Sequence, residues 1–415
     1  MNNLATPLVH SPYTVNQSHV PVPLIRLAAA DRFYRPELDV LRFFAFLSVF
    51  LYHGLPGLVN TRHSGIVAQA ALYETIIKGA GRFGVCLFFL LSAYLITELL
   101  CRERANTGTI HVGSFYSRRI LRIWPLYFAF LFAGVLLGLA IQDYRIEPHR
   151  IEAFLLLSGN WYVARIGCSA NPIAPLWSIS VEEQFYLAWP WVVKLGGRIW
   201  TCIICLILLP LSSLFLYELS RAGANESSTI WLNSFVQFQF FALGALLALG
   251  LRGRVPTLGL ASRVVIFIAG LACWLVAEGT FHFDRVDIRQ SPGSIVASYA
   301  FVAVGCALFF FSFLGLLPRW VPKPLIYLGK ISYGLYVFHM LCLSVSWRLF
   351  WLSESQRSSL QTTTWNGVVL GARAVLVLLV SMGMTVMCAT LSYRFLERPF
   401  LKLKQGFTFV CSRNV

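Results

Sequence analysis

Charge is scarce in this chain. Of 415 residues only 13% are Asp, Glu, Lys or Arg, while 57% are hydrophobic. A soluble chain of this length suggests two or three domains. So little charge, set between repeated apolar runs of about 20 residues, points instead to an all-α polytopic membrane bundle. Acidic residues are the scarcer sign, 18 against 34 Lys and Arg, for a formal net charge of +16. That excess forms no basic tail and accompanies no nucleic-acid motif, so no nucleic-acid partner is expected. In a membrane protein it marks cytoplasmic loops and anionic headgroups of the lipid bilayer.

A disulfide framework is missing as well. Of ten cysteines, eight fall in or at the ends of apolar runs, Cys168 sits in a predicted external loop and Cys411 in the tail. Cys202 and Cys205 form a CxxC without a second pair, which reads as buried packing, and no metal is expected. Residues 1–32 have no compact apolar core after a basic start, so they are not a cleavable signal peptide. They read as a disordered cytoplasmic extension. Residues 403–415 read as a cytoplasmic tail with no soluble domain after it, and no internal repeat argues a transporter-type duplication.

What is present is a series of apolar spans, at about 38–56, 80–101, 119–141, 178–195, 199–217, 231–251, 263–279, 295–317, 325–348 and 371–395. The piece Ile151–Ser158 is too short to span and is expected to be re-entrant or flat on the membrane. Lys and Arg in the alternate loops divide 18 against 9, which puts both termini in the cytoplasm. The longest external loop is then 142–177.

The first span carries Arg42 near its start and His53 near its end. An ionisable side chain inside a membrane helix is costly and marks function by default. Eleven residues at ~100° each return to within ~20° of the same direction, so the two side chains share one stripe, ~16 Å apart. Asp39 and Glu37 gather at the Arg42 end. Taken singly, Arg42 could snorkel to the headgroups and His53 could cap an interfacial helix end. Together they favour function.

In the second span Gly84, Ser92 and Ala93 read as small residues for close helix packing. Arg119 and Arg122, three apart on one face, suit a phosphate-rich ligand. The fourth span opens with Trp177, Ser178 and Ser180, followed by Glu182, Glu183 and Gln184. One glutamate there could simply stabilise a helix start capped by Ser178 or Ser180. Two adjacent ones point ~100° apart, so at least one should face the bundle. In an antiparallel bundle they lie at the level of His53. A carboxylate on one ring nitrogen raises the basicity of the other, as a general base needs. His339 lies near mid-membrane in the ninth span, two turns after Tyr333, as a structural or a functional histidine. Glu397, with Arg398 and Pro399, reads as a structural helix stop.

The stretches Arg35-Pro-Glu-Leu-Asp39 with Arg42 and His53, Gly84–Thr97, Arg118–Pro125, Leu176–Tyr186, Ile331–Tyr336 and Glu397–Pro399 resemble the acyltransferase-3 family of membrane O-acyltransferases. The resemblance runs over about residues 33–402, the expected transmembrane domain, and implies about ten helices. It implies that His53 acts in acyl transfer and that Arg42, Arg119 and Arg122 help to hold acyl-coenzyme A, acetyl-coenzyme A foremost. The sequence departs from the family pattern at Val40, Cys86 and Ala93. The expected activity moves an acyl group to a hydroxyl of a surface or secreted glycan or glycolipid, in the bacterial inner membrane. His53 is expected to be supported by Glu182 or Glu183. Further site candidates are Asp39, Trp177, Ser180, Tyr333 and His339. The rivals are a transporter or channel lined by the buried charges, and a non-catalytic scaffold.

Overall fold

The computed structural model describes residues 33–54, 67–223, 227–283, 290–350 and 364–410. The expected extension 1–32 and Cys411 lie outside the described residues. Among the described residues every regular element is helical. A helix meets all its own backbone hydrogen bonds, which the bilayer demands of any lipid-exposed segment.

The elements in order are α1 (Pro36–Gly54), α2 (Val67–Thr107), α3 (Val112–Ala140), the short α4 (Pro148–Leu155) and α5 (Gly159–Ile166), and α6 (Leu176–Arg221). They continue as α7 (Ser227–Trp231), α8 (Ser234–Leu251), α9 (Leu260–Gly279), α10 (Pro292–Phe313), α11 (Lys323–Lys330), α12 (Ser332–Phe350), α13 (Thr364–Ser392) and α14 (Arg398–Leu403). A five-residue π-helical turn, Tyr393–Glu397, joins the last two.

Among the described residues seven helices are long and apolar enough to cross a membrane, or eight if the α11–α12 pair, bent by 75°, is one span. The sequence suggested about ten. Two features account for the difference. Glu37, Asp39 and Arg42 make α1 too charged to count by composition. The expected spans 178–195 and 199–217 are joined in the 46-residue α6.

That helix is not straight. Gly197 has φ 58° and ψ −158°, a conformation that only glycine adopts at low cost. Thr201 Oγ1 lies 3.5 Å from the carbonyl oxygen of Val192, whereas nine residues of straight helix rise ~13 Å. The contacts of α8 show that the two arms run antiparallel. Ser234, at its start, donates to Gln184 Oε1 (2.6 Å), and Phe235 packs on Phe215 with ring centroids 5.5 Å apart. Arg198 donates to the carbonyl of Leu249 at its end (2.7 Å). Residues 184 and 215 therefore lie at one end of α8, and residue 198 at the other.

The core sits around α2. Of its apolar window 83% is buried, against 17% for α9, so α2 is central and α9 peripheral. Close approach explains this. A Cβ at Gly84 would collide with the Ala45 carbonyl of α1, and one at Gly244 of α8 with the Leu90 carbonyl. Side chains such as Leu187, Leu195, Ile199, Val265 and Ile268 point outward, as on a surface solvated by lipid tails.

The expected flat or re-entrant piece near 151–158 forms α4, followed by α5. Helix α5 and the turn before it are tied to the start of α6 through Gln184. Its amide donates to the Leu157 carbonyl (3.0 Å) and to Asn160 Oδ1 (2.9 Å), and its oxygen accepts from Ser234 and Trp161. A half-buried amide with both ends hydrogen-bonded fixes the rotation of α6, and with it the directions of Glu182 and Glu183.

Candidate active site

Three cavities follow one another through the bundle. The middle one, about 70 Å³, is lined by Arg42, Ser92, Arg119, Arg122, Glu182 and Tyr186, with Ser178, Tyr333 and Tyr336. A second, about 120 Å³, shares Arg42, Ser92, Arg119 and Arg122 with it and adds Arg35, Asp39 and Lys404. A third, about 250 Å³, contains His53 with Tyr52, Arg82, Trp177, Trp231, Tyr336 and Met340. Val85 and Tyr336 belong to both the middle and the His53 cavities. Helix α1 thus carries Arg42 into one and His53 into the other, as the shared stripe requires.

The arginine cavity is strongly cationic. Arg119 lies over the rings of Phe115 (5.8 Å) and Tyr186 (5.5 Å). The Nε atoms of Arg42 and Arg119 are buried without a hydrogen-bond partner among the described residues. A buried guanidinium left short of acceptors is unfavourable, and an anion with several oxygens would satisfy both. Glu182 supplies one negative charge. Its oxygens accept from Ser92 Oγ (3.1 Å) and Tyr186 OH (2.9 Å). Glu397 is buried and within electrostatic reach of Arg122. The residues present therefore suit an anionic ligand with several oxygens, such as a phosphate ester.

His53 has a different neighbour from the one expected. Its Nδ1 lies 3.0 Å from the Val49 carbonyl and 3.2 Å from Nε2 of His339. His339 Nδ1 in turn lies 2.5 Å from the Tyr336 carbonyl. A carbonyl can only accept, so each Nδ1 carries its proton, and His339 Nε2 shares the His53 proton with the Val49 carbonyl. His53 Nε2 then keeps its lone pair and has no partner among the described residues.

The expected placement of Glu182 or Glu183 beside His53 is corrected by this geometry. Trp177 of α6 lines the His53 cavity, and five further residues of helix carry the chain ~7.5 Å on. Glu182 therefore sits at the level of the arginines. Glu183 points another way, where Oε2 accepts from Trp124 Nε1 (3.1 Å) and Oε1 is buried without a partner.

Of the other candidates, Asp39 accepts from Tyr34 OH (2.9 Å) on the outer arginine cavity. Tyr333 lines the middle cavity and donates to the Ile123 carbonyl (2.8 Å). Ser180 is fully buried and lines none of the three cavities. Sequence reasoning passed over Ser92, Tyr186 and Glu397. Ser92 had been assigned to packing, yet it holds Glu182. Tyr186 follows Glu182 by four residues, a spacing that places the two side chains together on a helix and could have found it. Glu397, read as a helix stop, is turned inward by the π-helical turn, an irregularity common at functional sites.

Comparison with known proteins gives the same direction. The chain is 27% identical over 401 residues to a "Putative O-acetyltransferase" of Staphylococcus aureus (strain MSSA476), covering 89% of this chain and 58% of the relative. It is 28% identical over 398 residues to the "Putative peptidoglycan O-acetyltransferase YrhL" of Bacillus subtilis (strain 168), covering 90% and 56%. Over 401 residues it is 28% identical to the "O-acetyltransferase OatA" of Staphylococcus aureus (strain NCTC 8325 / PS 47), covering 90% and 58%. The chain thus spans rather more than half the length of these relatives. No solved structure matches it. Residues 35–392 match the family model described as an acyltransferase domain, and the chain belongs to the acyltransferase-3 family.

Proposed function

We propose that this protein is an integral membrane O-acyltransferase that moves an acetyl or other acyl group from acyl-coenzyme A to a hydroxyl of a cell-surface glycan. The observation that carries the reading is the shared wall of the two cavities. Arg42, Arg119 and Arg122 hold the phosphates on one side of Tyr336 and Val85, and the unengaged Nε2 of His53 waits on the other. A thioester reaching from the phosphates to that wall meets its acceptor at the histidine.

In this mechanism His53 Nε2 takes the proton of the acceptor hydroxyl as its oxygen attacks the thioester carbonyl. The new C–O bond forms, the C–S bond breaks, and His53 returns the proton to the departing thiolate. The Val49 carbonyl and His339 Nε2, both facing the Nδ1 proton, hold the reactive tautomer. Glu182, with Ser92 and Tyr186, balances the arginine charge. The names of the relatives, O-acetyltransferases and in one case a peptidoglycan O-acetyltransferase, support a glycan acceptor.

For the membrane arrangement the reading takes ten passages, with α1 and the two arms of α6 counted separately. Both termini lie in the cytoplasm, in the bacterial inner membrane. The hairpin at Gly197 and the 18 to 9 division of loop cations support it.

The test is transfer from acetyl-coenzyme A by the protein in nanodiscs, read as free coenzyme A. His53→Ala should lower the rate by ~10²–10⁴-fold, as expected on losing a general base, with coenzyme A affinity and thermal stability nearly unchanged. Activity within a few-fold of wild type, or loss of folding, would reject the assignment.

A further inference from the structure

We infer that Tyr336, itself hydrogen-bonded by Ser178, donates the hydrogen bond that stabilises the acyl oxygen as it becomes negative during transfer. The inference rests on the acyl-transfer reading above, and it concerns the one place that reading leaves unfurnished. If the donor is anchored at the arginines and the acceptor is deprotonated at His53, the reacting carbonyl lies where the two cavities meet. Among the described residues only Val85 and Tyr336 line both, and the valine side chain has no proton to donate.

The local geometry suits a donor. Tyr336 OH accepts from Ser178 Oγ at 2.8 Å. Its own proton goes to the Pro175 carbonyl at 3.3 Å, a long contact for a hydroxyl donor. Ser178 Oγ also lies 3.2 Å from the same carbonyl, but one hydroxyl proton cannot serve two acceptors fully. Three hydroxyl contacts thus compete for two protons, and redirecting the phenol O–H into the cavity sacrifices only the weakest of them. Donation from Ser178 into the phenol oxygen strengthens the outgoing bond. Tyr336 and Ser178 are both buried, where a fixed donor stabilises a developing charge far more than in water. The Tyr336 ring is 5.5 Å from that of His339, which is 5.0 Å from that of His53. Donor and base therefore belong to one locus.

In the balanced step, the acceptor oxygen forms its bond to the carbonyl carbon and the C=O π pair moves onto oxygen. Tyr336 stabilises that oxygen while keeping its own proton. The pair then returns to re-form C=O as C–S breaks, and the thiolate takes the proton that His53 removed.

The experiment compares wild type, Tyr336→Phe, Ser178→Ala and His53→Ala in nanodiscs. Acetyl-coenzyme A is the donor probe, soluble N-acetylglucosamine oligomers are the acceptor probe, and released thiol is the readout. Coenzyme A affinity and melting temperature are measured on the same samples. Tyr336→Phe keeps the ring and loses only the donor, so kcat should fall ~10²–10³-fold. The KM for acetyl-coenzyme A, the affinity and the melting temperature should stay within about twofold and a few degrees, respectively. Ser178→Ala should lose roughly tenfold, the effect of one hydrogen bond. If wild type turns over and Tyr336→Phe keeps kcat within threefold, or loses it only together with affinity and stability, the pair is structural. That result overturns the inference and leaves the acyl-transfer reading standing. If wild type releases no more thiol than His53→Ala, both fall.

Discussion

At His53 one ring nitrogen is held, by the Val49 carbonyl and by a second histidine, and the other is left for chemistry. This makes His339 a positioning residue with a specific requirement, an acceptor facing His53 Nδ1. His339→Ala should slow transfer by about 10-fold, the effect of losing one buried hydrogen bond that helps the Val49 carbonyl to hold the ring. His339→Gln offers a carbonyl oxygen near the same place and should retain more activity than the alanine variant. Equal rates for the two in the thiol-release assay would exclude the tautomer argument. The arginines make a different demand. Arg122→Ala should weaken coenzyme A binding by roughly 10–100-fold, as for loss of a hydrogen bond to a charged group. Arg122→Lys should weaken it less, since it keeps the charge and loses only the planar fork. Affinity unchanged in Arg122→Ala, measured by titration calorimetry, would remove Arg122 from the donor site.

Among the elements, α6 has the most exacting backbone. Its hairpin returns the chain along α8, and its first arm sets Trp177 in one cavity and Glu182 in the next. The reversal depends on the positive φ of Gly197. Gly197→Ala should cost ~1–3 kcal/mol, the range for a non-glycine residue forced into that conformation. The melting temperature in nanodiscs should fall accordingly, while coenzyme A affinity of the surviving folded protein changes little, because the arginines lie on α1 and α3. A melting temperature equal to wild type would mean that the turn tolerates a Cβ. Helix α1 is the other exacting element. It is pressed on α2 at Gly84 and crossed by α11, where a Cβ at Gly329 would collide with the backbone of Asp39. This packing holds the Arg42–His53 stripe toward the interior.

For the whole molecule the proposed arrangement has a vectorial character, with phosphate-binding arginines toward one face and the histidine cavity toward the other. Cys168 lies in the 142–177 loop, is exposed and lines the His53 cavity. In variants retaining one cysteine each, a membrane-impermeant maleimide added to intact cells should label Cys168 and leave Cys411 unlabelled. Modification of Cys168 should also lower transfer, by crowding the acceptor cavity. Labelling of Cys411 from outside would reverse the proposed orientation.

Composition and periodicity were enough to read a helical membrane protein, the interior stripe of Arg42 and His53, and the paired arginines at 119 and 122. Each is a local property, since helix geometry fixes which side chains share a face whatever the helix packs against. The partner of His53 was not local. Reading levels by counting from helix ends put Glu182 opposite His53, but the depth of α6 in the bundle is set by its contacts with α5, the turn before it and α8 through Gln184. That register shifts Glu182 toward the arginines and leaves His339, 286 residues away in sequence, to meet His53. Ser92 and Glu397 were misread for the same reason. A small residue on a packed helix and a carboxylate near a helix stop have ordinary local roles, and only the tertiary contacts turn the first to Glu182 and bring the second toward Arg122.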